Sequence, residues 1–553
     1  MIRPSRAPSA SAAVLAAVLL LLVPVALGAQ AGGHGHADPA DTVPRLGEID
    51  FPTSATPAAN AAFVRGVLLL HNFHYGPAAA AFRQAQQLDP ADVMSYWGEA
   101  MTYTHPVWNE QDTAAARAAL ARLAPTREAR LAKAQTPRER AWLETAEILY
   151  GGNTSKAARD TAFSAALGRM HAEQPGDVEA ASFYALSLLG LNQGDRDVPT
   201  YERASLLADS LFRTHPRHPG AAHYLIHAVD DPQHARLGLD AARAYSGIAP
   251  SAGHALHMTS HIFVAMGMWD DVVRANERAM ATAGRAVGHS AQWMVYGLLQ
   301  QGRRREAARW LDSMGVEANS PVERVRADSR MHLGITVPAY VVETHQGDAP
   351  VLRLLSDTMT APGAWSVYPD VGRALAAIER RDRTAADSFV ARVAAYRAEN
   401  AGRAGAASML GNAEVMEKTL RALLLRGEGE GDAAVALLRD AAVQEAALPM
   451  DFGPPVTIKP PRELAGEMLL EMGKPAEARA EFLLALARTP GRSAVLLGLA
   501  RAEAALGNRN EAARRYNQLA ANWHRADPDW PALHEARAGS AGARAATKIH
   551  VTF

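Results

Sequence analysis

The chain of 553 residues contains no cysteine. Disulfide bonds, thiolate metal sites and a cysteine nucleophile are therefore excluded, and packing alone must hold the fold together. Aromatic residues are also few, at 6% of the chain. Because β-branched residues are sparse while alanine and arginine are abundant, the composition favours helices.

A strong charge of one sign and the common enzyme motifs are missing as well. The formal net charge is −1, which argues against nucleic acid or an anionic membrane surface as a partner, because those require a basic face. The chain has no Walker loop, no Gly-x-Ser-x-Gly elbow, no His-Glu-x-x-His motif and no dinucleotide fingerprint. The sequence therefore predicts no catalytic residue and leaves enzymatic activity open.

The N-terminus has the order of a secretory signal peptide. Two arginines lie within the first six residues, an apolar run covers residues 12–29, and small residues follow to Ala31. This order predicts a signal peptide over residues 1–31 and an exported protein, periplasmic or secreted, with no other membrane association. An uncleaved anchor is the alternative, because the run is barely long enough to span a bilayer. Residues 32–53, rich in glycine, histidine and proline, are predicted to be a flexible leader.

Two stretches, residues 58–90 and 465–490, carry the same ordered set of small and large side chains. The members are Gly66, Leu69, Ala78, Phe82, Ala85 and Pro90 in the first stretch, and Gly466, Leu469, Ala478, Phe482, Ala485 and Pro490 in the second. Small residues in this pattern let two helices touch, and large ones fill the space between them. On these residues the chain resembles the tetratricopeptide repeat (TPR) family of helix–turn–helix units.

The resemblance implies an all-α fold, a right-handed α–α superhelix of roughly twelve helix pairs over residues 54–530. Between the two clear repeats, helix pairs are expected at about residues 91–122, 137–174, 178–213, 219–247, 253–282, 289–314, 364–400 and 409–446. Residues 315–360 are expected to be irregular. Four prolines in residues 449–461 predict an extended loop across a face of the solenoid. The tail, residues 531–553, is expected to end as a short strand or disordered.

Four histidines form two pairs with one shared spacing. His223 and His227 lie four residues apart, and so do His257 and His261, which follow the first pair at an offset of 34 residues. Since 34 is the TPR period, the two pairs should occupy the same place on the first helices of consecutive units. An i, i+4 pair points two imidazole nitrogens at one ion. The pattern therefore predicts a metal site at these four residues, with zinc, copper or iron as the suitable ions.

Further residues are predicted to line the same groove, because the resemblance implies that the first helix of each pair faces the concave side. They are His71, Trp97, His105, Asp230, Asp231 and His254. His71 and His105 repeat the 34-residue offset, and His254 lies one helical turn before His257. Asp230 and Asp231 are candidates either to bind the metal or to orient an imidazole.

Three interpretations of the histidines remain open. The favoured one is an exported binding or scaffold protein that holds a peptide, protein or small-molecule ligand in its concave groove. The alternative is a metalloprotein or metal-dependent enzyme centred on the histidines of two consecutive repeats. In either case the imidazoles should converge and stay partly accessible. If the histidines are merely structural, each should be buried with its own hydrogen-bond partner.

Overall fold

The computed structural model describes residues 44–192, 196–355, 363–403, 406–450 and 453–548. The predicted signal peptide, residues 32–43 of the predicted leader and the last five residues of the tail lie outside these ranges. Residues from Arg45 onward form one compact unit.

Helices dominate the first half of that unit. They are α1 Pro57–His71, α2 Tyr75–Leu88, α3 Val93–Met101, α4 Thr113–Leu123, α5 Arg127–Leu131, α6 Pro137–Tyr150, α7 Lys156–Glu173, α8 Val178–Leu189, α9 Val198–Thr214, α10 Pro219–Ala228, α11 Leu239–Ile248 and α12 Gly253–Ala265. Between α3 and α4, the strands β1 Thr104–His105 and β2 Glu110–Gln111 pair around a 3-10 turn, Pro106–Trp108.

The second half continues the same alternation. Its helices are α13 Trp269–Ala283, α14 Gly288–Gln300, α15 Arg304–Glu317, α16 Glu323–Thr344, α17 Tyr368–Glu379, α18 Arg383–Asn400, α19 Ala407–Gly427, α20 Gly431–Ala447, α21 Pro461–Glu471, α22 Pro475–Arg488, α23 Ser493–Ala505, α24 Arg509–Asn522 and α25 Pro531–Lys548. Helices that follow one another pack as hairpins, and each hairpin packs on its neighbours. The prediction of an all-α fold of stacked, superhelical TPR-like repeats is confirmed.

The repeated glycines and phenylalanines explain how neighbouring hairpins approach. Phe82, on α2, fills the gap between α1 and α3, and a Cβ atom added at Gly66 would lie 2.6 Å from its ring. Phe482 has the same place on α22, where a Cβ at Gly466 would lie 2.7 Å from the ring. A side chain at either glycine would therefore push the helices apart.

Three segments differ from the sequence predictions. Residues 315–360 are not irregular, because the 22-residue helix α16 runs through them with Pro338 inside it. The tail, placed beyond the helical repeats by the sequence prediction, forms helix α25 as far as Lys548, and its end, predicted to be a short strand or disordered, lies outside the described residues. Residues 45–53 lie against the body of the protein, with Phe51 buried between aromatic rings, although they were expected to belong to a flexible leader.

The ends of the described chain contact its middle. At the N-terminal end, the ring of His71 on α1 hydrogen-bonds the hydroxyl of Tyr224 on α10 at 2.7 Å. At the C-terminal end, the hydroxyl of Ser493 donates to the carbonyl of Gln300 on α14 at 2.6 Å, and the indole of Trp269 donates to the carbonyl of Gly491 at 2.9 Å. Helices α10 and α14 are therefore contacted by segments that lie far from them in the sequence.

Within the described ranges, no helix combines the length and the apolar character that a membrane span requires.

Candidate metal centre

Helix α10 is short, and both of its ends are fixed by side chains. At its start, Nδ1 of His218 accepts the backbone N–H of Ala221 at 3.1 Å. Just beyond its end, the carboxylate of Asp231 accepts the backbone N–H groups of Gln233 and His234, each at 3.0 Å. The tight turn that results leaves Asp230 facing helix α12, where its carboxylate reaches His261.

Three imidazoles from α10 and α12 converge on one point. His223 and His227 lie on one face of α10, and His254 lies in the first turn of α12. One ring nitrogen of each lies within 4.8 Å of those of the other two. The ring centroid of His223 lies 4.9 Å from that of His227 and 5.1 Å from that of His254. We call this set the first triad.

The Nε2 atoms of the first triad are buried without hydrogen-bond partners among the described residues. For His223 the tautomer is fixed, because its Nδ1–H donates to the backbone carbonyl of His71 at 2.7 Å and leaves the lone pair on Nε2. Buried polar groups are nearly always hydrogen-bonded, and an unpaired one costs about 1–3 kcal/mol. Three unpaired nitrogens on three clustered imidazoles are therefore unusual in a purely structural arrangement and suit a metal ion.

Three further histidines form a second triad beside the first. His257 and His261 lie one turn apart on α12, and His289 opens α14, again with one ring nitrogen of each within 4.8 Å of the others. Nε2 of His257 and Nε2 of His261 are 3.3 Å apart. The two triads adjoin, since the ring centroids of His227 and His261 are 5.7 Å apart.

Asp230 lies between the triads. Its carboxylate accepts Nδ1–H of His261 at 3.0 Å and approaches Nδ1 of His227 at 3.8 Å. Arg196 forms an ion pair with the same carboxylate at 2.8 Å and also donates to the carbonyl of Ala228 at the end of α10. Burial alone would raise the pKa of Asp230, but the hydrogen bond from His261 and the charge of Arg196 hold that pKa below its ordinary value.

Burial favours the uncharged form of four of these imidazoles. It is the largest cause that lowers the pKa of His227 to about 3 and the pKa of His257 to about 3. The pKa values of His223 and His254 also lie well below the ordinary value, first through burial and then through neighbouring imidazoles. A neutral imidazole is the form that binds a metal ion.

Aromatic rings wall the two triads. Phe73, which follows α1, lies 4.2 Å from the ring of His223 and 5.5 Å from that of His254. Trp108 lies 6.0 Å from the ring of His254 and is the more exposed of the two. On the other side, Trp293 of α14 stacks on His261 at 4.4 Å.

The four histidines predicted as ligands do converge, but the expectation that they stay partly accessible is wrong. His223, His227, His257 and His261 are 0–4% exposed, whereas His254 is only partly buried. The physical reasons are the contact of α1 with α10, which places Phe73 over the first triad, and the stacking of Trp293 on His261 in the second.

The other predicted groove residues lie apart from the triads. His71 is buried, with Nδ1 against the hydroxyl of Tyr224 and Nε2 against the carboxylate of Glu179. Trp97 belongs to the hydrophobic core and donates to Thr145. His105 stacks on Tyr75 and pairs with Glu110, and Asp231 caps the turn after α10. None of these four side chains faces an open groove beside the histidines, because each is held by other partners.

Sequence reasoning missed Phe73, Trp293, His289, Arg196 and Asn276. Of these, His289 carries a detectable signal, since it opens the next first helix 32 residues after His257. Because this offset is 32 residues rather than 34, a search for the 34-residue spacing does not find His289. The others come from elements whose contact with α10 or α12 depends on the tertiary fold.

The fold and the site together define an all-α, TPR-like solenoid with six clustered histidines on its central helices. No family model matches the chain, and no curated protein matches it.

Solved structures with related architecture include three helical-repeat proteins. Yeast Tom70 is 13% identical, with 89% of this chain and 99% of that chain covered and a TM-score of 0.31. The human IFIT1 dimer with m7Gppp-AAAA is 12% identical, covering 85% and 90%, with a TM-score of 0.36. The APC/C hetero-tetramer Cut9–Hcn1 is 13% identical, covering 89% and 96%, with a TM-score of 0.33. Likeness at this level carries no inference about a ligand or partner.

Proposed function

We propose that this protein is a metal-binding repeat protein whose first triad, His223, His227 and His254, holds one transition-metal ion. Two observations carry the proposal together: each of these histidines has a buried Nε2 atom without a partner among the described residues, and one ring nitrogen of each lies within 4.8 Å of those of the other two. Zinc, copper and ferrous iron all accept imidazole nitrogen. Three protein nitrogens leave at least one coordination position open, which is typical of catalytic rather than structural zinc sites. Metal-dependent chemistry at that position is therefore part of the proposal.

A structural role for the first triad is disfavoured by a comparison within the same chain. His71 and His218 flank the buried carboxylate of Glu179, at 2.8 and 3.1 Å. Every ring nitrogen of these two histidines has a partner, since Nδ1 of His71 contacts Tyr224 and Nδ1 of His218 accepts a backbone N–H. This is the pattern of a structural histidine network. The first triad departs from it at three nitrogens.

Binding of a protein, peptide or small molecule in a concave groove is the second function that the repeat architecture suggests. It would need an open face beside the histidines. Phe73 packs on the first triad and Trp293 on the second, so a peptide would not reach the imidazoles. We therefore prefer a metal ion as the ligand of the histidines, and a protein or peptide partner would bind elsewhere on the solenoid.

Metal analysis tests the proposal directly. Protein made without a His tag is supplied with zinc, copper or ferrous iron in turn, freed of loose metal and analysed for bound equivalents. The triple variant H223Q/H227Q/H254Q should lose one equivalent relative to wild type. A control with three histidines away from the triads changed, H105Q/H171Q/H215Q, should keep the wild-type content. Absence of all three metals from the wild-type protein would refute the proposal.

We also propose that the protein is exported, on the basic, apolar and small-residue order of residues 1–31. Mass spectrometry of the mature chain should find a start just after Ala31. Intact Met1 in a membrane pellet would instead identify an uncleaved anchor.

A further inference from the structure

Two nitrogens of the second triad face each other in an arrangement that neutral imidazoles do not favour. Nδ1–H of His257 donates to the amide oxygen of Asn276 at 2.6 Å. The amide is oriented by its own NH2 group, which donates to the carbonyl of Val272 at 2.9 Å. Nδ1–H of His261 donates to Asp230 at 3.0 Å. When both imidazoles are neutral, each carries its one proton on Nδ1, and both Nε2 atoms present lone pairs.

These two Nε2 atoms are 3.3 Å apart. Two lone pairs at that separation repel unless a cation lies between or beside them. A proton would pair the two rings but would give no role to His289, whose ring nitrogen also lies within 4.8 Å of theirs. A metal ion accounts for all three. Two nitrogens bound to one tetrahedral zinc at about 2.0–2.1 Å are about 3.4 Å apart, close to the observed spacing.

We propose that His257, His261 and His289 hold a second transition-metal ion, so that the protein carries a pair of adjacent metal sites. None of these three ligands belongs to the first triad. The inference rests on the proposed function only in stating that the two sites form a pair. Their closeness follows from the ring contacts between triads, 5.7 Å for His227 with His261 and 6.3 Å for His254 with His257.

Asp230 gives the pair a physical link. One carboxylate oxygen lies 3.0 Å from Nδ1 of His261 in the second triad and 3.8 Å from Nδ1 of His227 in the first. Arg196 fixes the other oxygen at 2.8 Å. A carboxylate that orients a ligating imidazole commonly supports metal affinity by 10- to 100-fold. A single Asp230→Asn change should therefore weaken binding at the second site strongly and at the first site less.

The test counts equivalents with one probe, Co²⁺, added to full-length protein that has been stripped with chelator and exchanged into chelator-free buffer. Wild type should bind two equivalents. H223Q/H227Q/H254Q should keep one, and His289→Gln should also keep one. His289 is the gentlest second-site change, because its ring is only partly buried. Helicity from circular dichroism confirms that each variant is folded.

Two tryptophans report on the sites separately. Trp293 stacks on His261 in the second triad, and Trp108 lies against His254 in the first. Paramagnetic Co²⁺ should quench both, and Trp293→Phe should remove the part of the quenching that His289→Gln also removes. Trp108→Phe serves as the matched control for the first site.

The outcomes separate the two proposals. One equivalent that disappears in H223Q/H227Q/H254Q and persists in His289→Gln would overturn the second site and leave the first intact. One equivalent that disappears in His289→Gln and persists in H223Q/H227Q/H254Q would support the second site and refute the first. No bound Co²⁺ in wild type would overturn both.

Discussion

Replacing His227 by leucine should stabilise the metal-free protein, the opposite of the usual result of removing a buried polar side chain. The reason is that Nε2 of His227 is buried without a partner, and Nδ1 only approaches Asp230 at 3.8 Å. Asp230 keeps its closer partners, His261 and Arg196, after the substitution. Leucine occupies a similar volume without a nitrogen to desolvate.

The magnitude follows from two opposing contributions. Removing an unpaired buried polar atom gains about 1–3 kcal/mol. Each ring contact that His227 loses costs up to about 0.5–1.5 kcal/mol, and the apolar contacts of leucine offset most of that cost. The rings in contact are Phe73 at 5.8 Å, His223 at 4.9 Å and His261 at 5.7 Å. The free energy of unfolding should therefore rise by about 1 kcal/mol in the presence of chelator. With metal at about 100 times its Kd, wild type gains about 2.7 kcal/mol, and the order of the two proteins reverses.

The assay is guanidinium unfolding followed by circular dichroism, with and without chelator. Stacked repeats do not always unfold in one step, so the transition midpoints are compared directly. His71→Leu is the matched control, because it leaves Glu179 and Tyr224 without their shared partner and should destabilise the protein with or without metal. If His227→Leu loses stability in chelator as His71→Leu does, His227 is a structural residue and the reasoning about the first triad is wrong.

Two further changes test the contacts that cover the central helices. Arg492→Met should destabilise the protein by about 3–5 kcal/mol, because Glu343 would lose its buried ion pair and Glu463 would keep only Lys459 as a cation. Leu at the same position should behave alike, and a loss below about 1 kcal/mol would contradict the argument. Burial opposes ionisation of Glu463, but the charge of Arg492 lowers the pKa of Glu463 below the ordinary 4.5. The stabilisation from the ionised Glu463 is complete above pH 4.5 and is lost as the pH falls below it. The difference in unfolding free energy between wild type and the Arg492 variant should therefore narrow in acid. Gly453→Ala should weaken the second metal site without removing the first, since Gly453 has a positive φ of 103° and an added Cβ would strike Trp293; equal Co²⁺ quenching in both proteins would contradict it.

The sequence predicted the helical stack well because its packing rule is local. A phenylalanine on one helix needs a glycine on a neighbouring helix, as Phe82 on α2 needs Gly66 on α1, and such a rule repeats along the chain. The predictions failed where one residue breaks the pattern. Residues 315–360 were expected to be irregular, yet helix α16 runs through them with Pro338 inside it. The tertiary packing of α16 on α14, α15 and α17 outweighs the local loss of one backbone hydrogen bond.

The candidate site was only half predictable. The 34-residue offset places two histidine pairs on consecutive first helices, and that inference concerns neighbours in the stack. The burial of the pairs depends on Phe73, which lies about 150 residues earlier and reaches α10 only because the chain curls back. The division of the six histidines into two triads also could not be predicted from the sequence. His254 contacts His223 rather than completing a set with its neighbours on α12, since it lies at the start of that helix and faces α10.

The stack itself explains why the histidines can stay uncharged and close together without a metal. Ligands on α10, α12 and α14 are held by helix packing, and His223 is further oriented by the backbone of His71, which belongs to the satisfied network around Glu179. The clustered histidines, whose unpaired nitrogens are unfavourable, are thus held in place by neighbours whose hydrogen bonds are all formed. In small zinc domains the metal supplies the folding free energy. In this protein a core of repeats supplies it, so at the proposed metal sites the binding energy would remain for holding and polarising whatever occupies the open coordination position.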